Sequence, residues 1–190
     1  MRVRNMMFAR LAVRVRRPLR RLLRDERGVS AVEFAMLLPL MITLYLGGVE
    51  VSQAIAVDCK VTLVARSLGD LVAQSTTVTN ADMTNILAAA ASVVQPFPDT
   101  TLKVVVSSVT IDAQSIAKIA WSDTKNGTAR TVGSTVTLPA ALNVANTSLI
   151  WAEAQYGYTP TVGYVITGTM QLKDQIYMRP RLSDVVARTP

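Results

Sequence analysis

Histidine is absent from the 190 residues, and cysteine occurs once, at Cys59. Without histidine there is no imidazole general base, no histidine-containing catalytic triad and no histidine metal ligand. A single cysteine excludes an intrachain disulfide, a CxxC redox pair and a thiolate metal cluster. Aromatic residues make up 5% and charged residues 17% of the chain, the latter below the roughly 25% usual for soluble domains. Half of the residues are hydrophobic and the mean hydropathy is +0.31, which excludes a disordered chain. The acidic residues after residue 28 are scattered, and the plentiful Ser and Thr have no evident activating base. The chain is therefore expected not to be an enzyme and to need no cofactor and no metal.

Charge is unevenly placed. Residues 1–28 hold ten arginines against Asp25 and Glu26, a local charge of +8, while the remainder sums to −1. An arginine-rich arm can neutralise phosphates, orient a membrane helix from the cytoplasmic side, or act as an organellar transit peptide. The apolar stretch that begins directly after Arg27-Gly28 favours the membrane reading, with no nucleic-acid partner and inner-membrane lipid as a contact.

Phe34 to Val49 (FAMLLPLMITLYLGGV) is a run of sixteen residues without a charge, closed by Glu33 and Glu50. As a helix it spans about 24 Å, short of the ~30 Å hydrocarbon core. Extending it across 29–57 gives the needed length and takes both glutamates into the span. Glu50 is expected to snorkel or lie at the interface, which leaves Glu33 as the anomaly. A carboxylate at bilayer depth costs about 2.5 kcal/mol or more unless it is paired; the bland alternative puts Glu33 at headgroup level beside Arg27. The flanking charge predicts a cytoplasmic N-terminus and an exported remainder. An ordinary secretory signal cut after Ala54-Ile55-Ala56 competes with this reading, against the long basic region, the early Pro39 and the two glutamates.

Arg27-Gly28-Val29-Ser30-Ala31-Val32-Glu33-Phe34 resembles the processing site of type IV pilin-like proteins. There a Gly precedes the cut, a Glu stands fifth after it and an aromatic follows. The longer run RDERGVSAVEFAMLLPLMITLYLGGVE is similar to the N-terminal signature of the TadE-like family, pseudopilins of tight-adherence (Flp) pilus systems. Gly28, Val32-Glu33-Phe34-Ala35 and Leu38-Pro39 are the matching positions. The likeness covers Asp25 to about Gln74, with a looser echo in Arg179-Pro180-Arg181.

That resemblance implies a bacterial inner-membrane, single-pass subunit with its C-terminal domain periplasmic or at the cell surface. It implies a prepilin peptidase that cuts between Gly28 and Val29, and partnership with other pilin-like subunits and the pilus assembly machinery. Glu33, with Phe34 beside it, would pair with a neighbouring subunit's freed N-terminal amine, offsetting its burial cost. An unprocessed, membrane-anchored periplasmic adaptor of a secretion system is the alternative. Pro39 predicts a helix kink near Ala35 or is simply tolerated, as Gly and Pro are in membrane helices.

After Val57, Cys59, Val61, Leu63, Val64, Leu68, Leu71 and Val72 recur near helical spacing, so the helix is expected to run on to about Gln74. Cys59 falls on the apolar face, as packing or as an intermolecular disulfide. Thr79 or Asn80 is expected to cap a second helix from about Ala81 to Val94. Strands are expected over Leu102–Asp112, Ser115–Ser122, Thr128–Val132 after the Asn126-Gly127 turn, Thr135–Leu138, Ser148–Tyr158 and Tyr164–Leu172. In Ser115–Ser122, Ala117, Ile119 and Trp121 share one face by alternation. The fold class is α+β: a long N-terminal membrane and stalk helix, a second helix and a small antiparallel sheet of four or five strands. The expected divisions are a basic leader 1–28, a transmembrane segment 29–57, a helical stalk and second helix 58–95, and an exported β-rich domain 96–190. Trp121, Trp151, Tyr156, Tyr158 and Tyr164 read either as an adhesive patch or as cross-strand packing. Two glycosylation-type sequons begin at Asn126 and Asn146.

Overall fold

A computed structural model describes residues 27–160 and 163–190; the leader expected over 1–28 lies outside the described residues up to position 26. The chain divides into two compact units between Gly47 and Gly48.

One continuous helix, α1, covers Arg27–Ala73 and carries Pro39 within it. Every residue from Gly28 to Ile42 is exposed. Beyond Gly48 the helix acquires a stripe in which Glu50, Ala54, Val57, Val61, Val64, Ala65, Leu68 and Val72 are all buried. These follow the 3–4 residue spacing of a single helix face. Cys59 and Leu63 fall off that stripe and are exposed, so the placement of Cys59 on the apolar face is corrected: the buried register runs through Val57 and Val61.

A short strand β1 (Thr77–Val78) leads to helix α2 (Asn80–Ser92). Thr79 caps α2: its hydroxyl oxygen accepts from the Asp82 amide at 3.2 Å, while the Asp82 carboxylate accepts from the Thr79 amide at 3.0 Å. This reciprocal arrangement satisfies two of the donors that a helix start leaves open. Replacing Thr79 by alanine should cost about 1 kcal/mol, read by urea unfolding of the detergent-solubilised chain. The hydrogen bonds from Thr79 also hold the Asp82 carboxyl below its usual value of 3.8. A carboxyl with a lowered folded-state pKa lends stability that is complete above its unfolded value and fades as pH falls through the folded one. Thr79→Ala should therefore flatten the acid limb of the stability curve.

The main sheet has the order β4-β3-β2-β5-β6, built from β2 (Leu102–Ile111), β3 (Ala117–Lys125), β4 (Thr135–Val136), β5 (Thr147–Tyr158) and β6 (Met170–Met178). All of its pairings are antiparallel, and together with the two helices this is the α+β class. A short strand β7 (Ala187–Arg188) pairs in parallel with β1.

Val104 and Val106 of β2 with Ile150, Ala152 and Ala154 of β5 meet the α1 stripe and α2 in the larger core. Helix and sheet approach closely at Gly69, where an added Cβ would stand 3.4 Å from Ala152, Ile176 and Met178 side chains. A smaller core gathers Val109, Ile111, Ala117, Ile119, Leu149 and Trp151.

Three strand expectations are corrected. Between Ser108 and Val109 the β2–β3 register slips, pairing Ser108 with Trp121 but Val109 with Ile119. The extra residue, Ala120, is a bulge that turns the face of the strand over. Ala117 and Ile119 thus enter the smaller core and Trp121 the larger one. Thr128–Val132 is not a strand. Asn126 takes φ +58 and its side-chain amide donates to the Leu102 carbonyl at 3.0 Å. The following segment is then drawn off by Arg130, whose guanidinium pairs with Glu153. Tyr164–Leu172 is loop up to Thr169, and β6 begins only at Met170, because a side chain of α1 binds the loop backbone.

The C-terminal segment crosses the same unit. Arg181 donates its amide to the Ala73 carbonyl at 2.8 Å, closing the end of α1, and its guanidinium pairs with Asp70. Trp121 Nε1 donates to the Val186 carbonyl at 2.8 Å, and Arg188 Nε to Asp123 at 2.8 Å.

Candidate functional site

The sequence-derived site residues lie along the first turns of α1. Gly28 is exposed, and a Cβ built there meets nothing within 4 Å. Val29 and Phe34 are 55% and 57% exposed, and Glu33 is exposed as well. Pro39 removes one helical donor; its own carbonyl accepts from the Thr43 hydroxyl at 2.8 Å. Met36, Leu37, Leu40, Met41 and Leu44 are exposed too. A helix apolar all round requires an apolar surrounding, and α1 from Gly28 is long and apolar enough to cross a membrane.

The charge that the fold buries is not Glu33. Glu50 is 1% exposed. One of its oxygens accepts from the Tyr164 amide at 2.7 Å, and the other accepts from the amides of Val165 at 3.0 Å and Ile166 at 2.8 Å. Three donors on one carboxylate offset the desolvation that made an unpaired one costly. The expectation that Glu50 snorkels is therefore corrected. A signal was present: Glu50 shares the stripe of Ala54, Val57 and Val61, so it had to face the packed side. Its partners sit in a loop bounded by glycines of positive φ, Gly163 at +63 and Gly168 at +88, a bend that strand periodicity cannot reveal. Nearby, Tyr158 hydroxyl donates to Gln53 at 3.3 Å, and burial with the adjacent Glu50 charge pushes the Tyr158 pKa up.

Most of the aromatic candidates are packing. Trp121, Trp151, Tyr156 and Tyr158 are buried, whereas Tyr164 is 58% exposed. Trp151 stacks on Tyr177 at 5.2 Å between ring centroids, with the Arg130 guanidinium 3.6 Å above its ring. Arg130 also grips Glu153 through two nitrogens at 2.7–3.2 Å, the planar pairing that suits arginine. Arg130 and Glu153 border a groove of about 750 Å³ lined also by Lys103, Asn126, Lys173 and Asp174. Its charges of both signs are interleaved, so it has no single-sign field to select a ligand. No cluster of three or more potential metal ligands occurs among the described residues.

The geometry defines a class first: a candidate single-pass membrane protein whose apolar N-terminal helix continues into a small α+β domain. A narrower assignment comes from sequence comparison. Residues 28–69 match the family model described as TadE-like protein, the family that the N-terminal motif resembles. No curated protein and no solved structure matches the chain.

Proposed function

We propose that the chain is a pseudopilin-like subunit for assembly of a tight-adherence (Flp) pilus. A prepilin peptidase frees it after Gly28, it is held in the bacterial inner membrane by α1, and its domain is exported. It acts as a structural subunit among pilin-like partners and the assembly machinery, and not as an enzyme. The observation that carries this reading is where the TadE-like match starts. It begins at residue 28, at the expected cut, and runs through the exposed apolar turns into the part of α1 that packs on the sheet. Support also comes from the exposure of Gly28, since a peptidase needs an accessible, extensible backbone at the scissile bond.

Mass spectrometry of the mature N-terminus tests the reading. Val29 as the first residue supports it; Val57 would indicate ordinary signal peptidase, and Met1 the unprocessed adaptor. Gly28→Val should block a loss of about 3 kDa, the share of 28 residues in a 20.6 kDa chain of 190. Glu33 would find its partner only in the assembly, as the amine of a neighbouring Val29. Glu33→Ala should thus leave insertion and cleavage intact yet reduce incorporation or pilus yield on the order of tenfold, the scale of one charge-assisted hydrogen bond. Unchanged assembly in that variant would overturn the pairing role.

A further inference from the structure

We infer that the loop Gly163–Thr169 is a membrane-interface foot: it seats Tyr164 and Val165 in the headgroup–acyl boundary of the bilayer from which α1 emerges. This rests on the reading of α1 as the membrane span and adds to it a second, non-helical lipid contact. Glu50 is the first residue after the charge-free run Phe34–Val49. Its three backbone hydrogen bonds at 2.7–3.0 Å hold Tyr164, Val165 and Ile166 against that turn of the helix. The loop is thereby tied to the level at which α1 leaves the hydrocarbon.

The chemistry of the loop suits that level. Unsatisfied backbone donors are costly at membrane depth, and here three consecutive amides are taken up by the carboxylate. That carboxylate would itself be costly near lipid, and the same three bonds satisfy it. With those three amides turned inward, Tyr164 (58% exposed) and Val165 (49%) face outward, as does Met170 (39%) at the start of β6. No charge occurs from Gly163 to Met170, nor on α1 from Val51 to Val57, where Val51 and Ile55 are also exposed. Tyrosine is enriched at the interface because its ring is apolar and its hydroxyl is wet. A patch without Lys or Arg engages the acyl boundary and not anionic headgroups, so its contact is independent of lipid charge and salt.

The test uses the full chain with Cys59→Ser, at one copy per phosphatidylcholine nanodisc. An environment-sensitive fluorophore is attached at Leu40→Cys, Val165→Cys or Thr131→Cys in turn. Lipids brominated near the top of the acyl chain should quench the Val165 label on the order of twofold or more beyond the Thr131 label, as expected for side chains about 5–10 Å into the boundary, and lipids brominated near the chain end should quench the Leu40 label. Adding phosphatidylglycerol or salt should not change this. Quenching at Leu40 with equal values at Val165 and Thr131 would overturn the foot and leave the span standing. Absence of quenching at Leu40 would remove the span, and the foot with it. A blue shift at Val165 that needs several copies per disc and no brominated lipid would assign the patch to a second chain, overturning the lipid contact.

Discussion

Leu68→Ala should lower the unfolding free energy of the Gly48–Pro190 unit by about 2–5 kcal/mol, whereas Leu40→Ala should leave it unchanged. Both leucines lie in the same continuous helix. Leu68 is 0% exposed in the core against the sheet, while Leu40 is 56% exposed. Removing the Leu68 side chain forfeits its transfer energy and opens a cavity that Val64, Val72 and the facing strands can only partly close. At Leu40, 56% exposed, no packed core among the described residues is lost. The converse substitution reverses the ranking. Leu40→Arg should weaken membrane insertion by about 3 kcal/mol, the gap between leucine and arginine near the centre of a spanning helix, and leave the sheet intact. Urea unfolding followed by tryptophan fluorescence reads the first effect, because Trp121 and Trp151 are both strand residues. A glycosylation-mapping insertion assay reads the second. Equal destabilisation by Leu40→Ala and Leu68→Ala would mean that the two parts of α1 do not face different surroundings.

Features set by local chemistry were legible in the amino-acid order. The Thr79 cap, the end of α1 near Gln74 and the strand Leu102–Ile111 each follow from a hydrogen-bonding side chain, a loss of periodicity or a run of β-branched residues. The likeness to the TadE-like family was legible for a similar reason, since it rests on residue spacing along the chain. What escaped was decided by partners distant in sequence. The bulge at Ala120 exists because β2 and β3 must both pair and pack, and it moves Trp121 to the opposite core from Ile119. The missing strand at Thr128–Val132 reflects Arg130 reaching Glu153 and Trp151. Arg181 closes the end of α1 across a separation of more than a hundred residues. Glu33 stands out in the sequence as a charge directly before the apolar run; Glu50 escaped because its partners lie 114–116 residues away.

Glu50→Ala should release the loop while sparing the sheet. Amide exchange at Tyr164, Val165 and Ile166 should rise on the order of tenfold or more, the factor expected when a backbone donor loses a charged acceptor. The amides of β5 are held between β2 and β6 across Ile150–Tyr156, so they should keep their protection. Glu50→Gln separates the contribution of the two oxygens. Val165 and Ile166 share one oxygen and Tyr164 alone uses the other. A glutamine offers a single acceptor and turns an NH₂ toward the remaining amide, which is a donor meeting a donor. The retained oxygen should settle on the pair, so that Tyr164 exchanges fastest in Glu50→Gln while all three amides exchange quickly in Glu50→Ala. Hydrogen–deuterium exchange resolved at single amides on the full chain in detergent distinguishes these patterns. Unchanged protection at all three positions in Glu50→Ala would show that the loop is held by its own bends at Gly163 and Gly168, and would take away the tether that places Tyr164 and Val165 beside the helix exit.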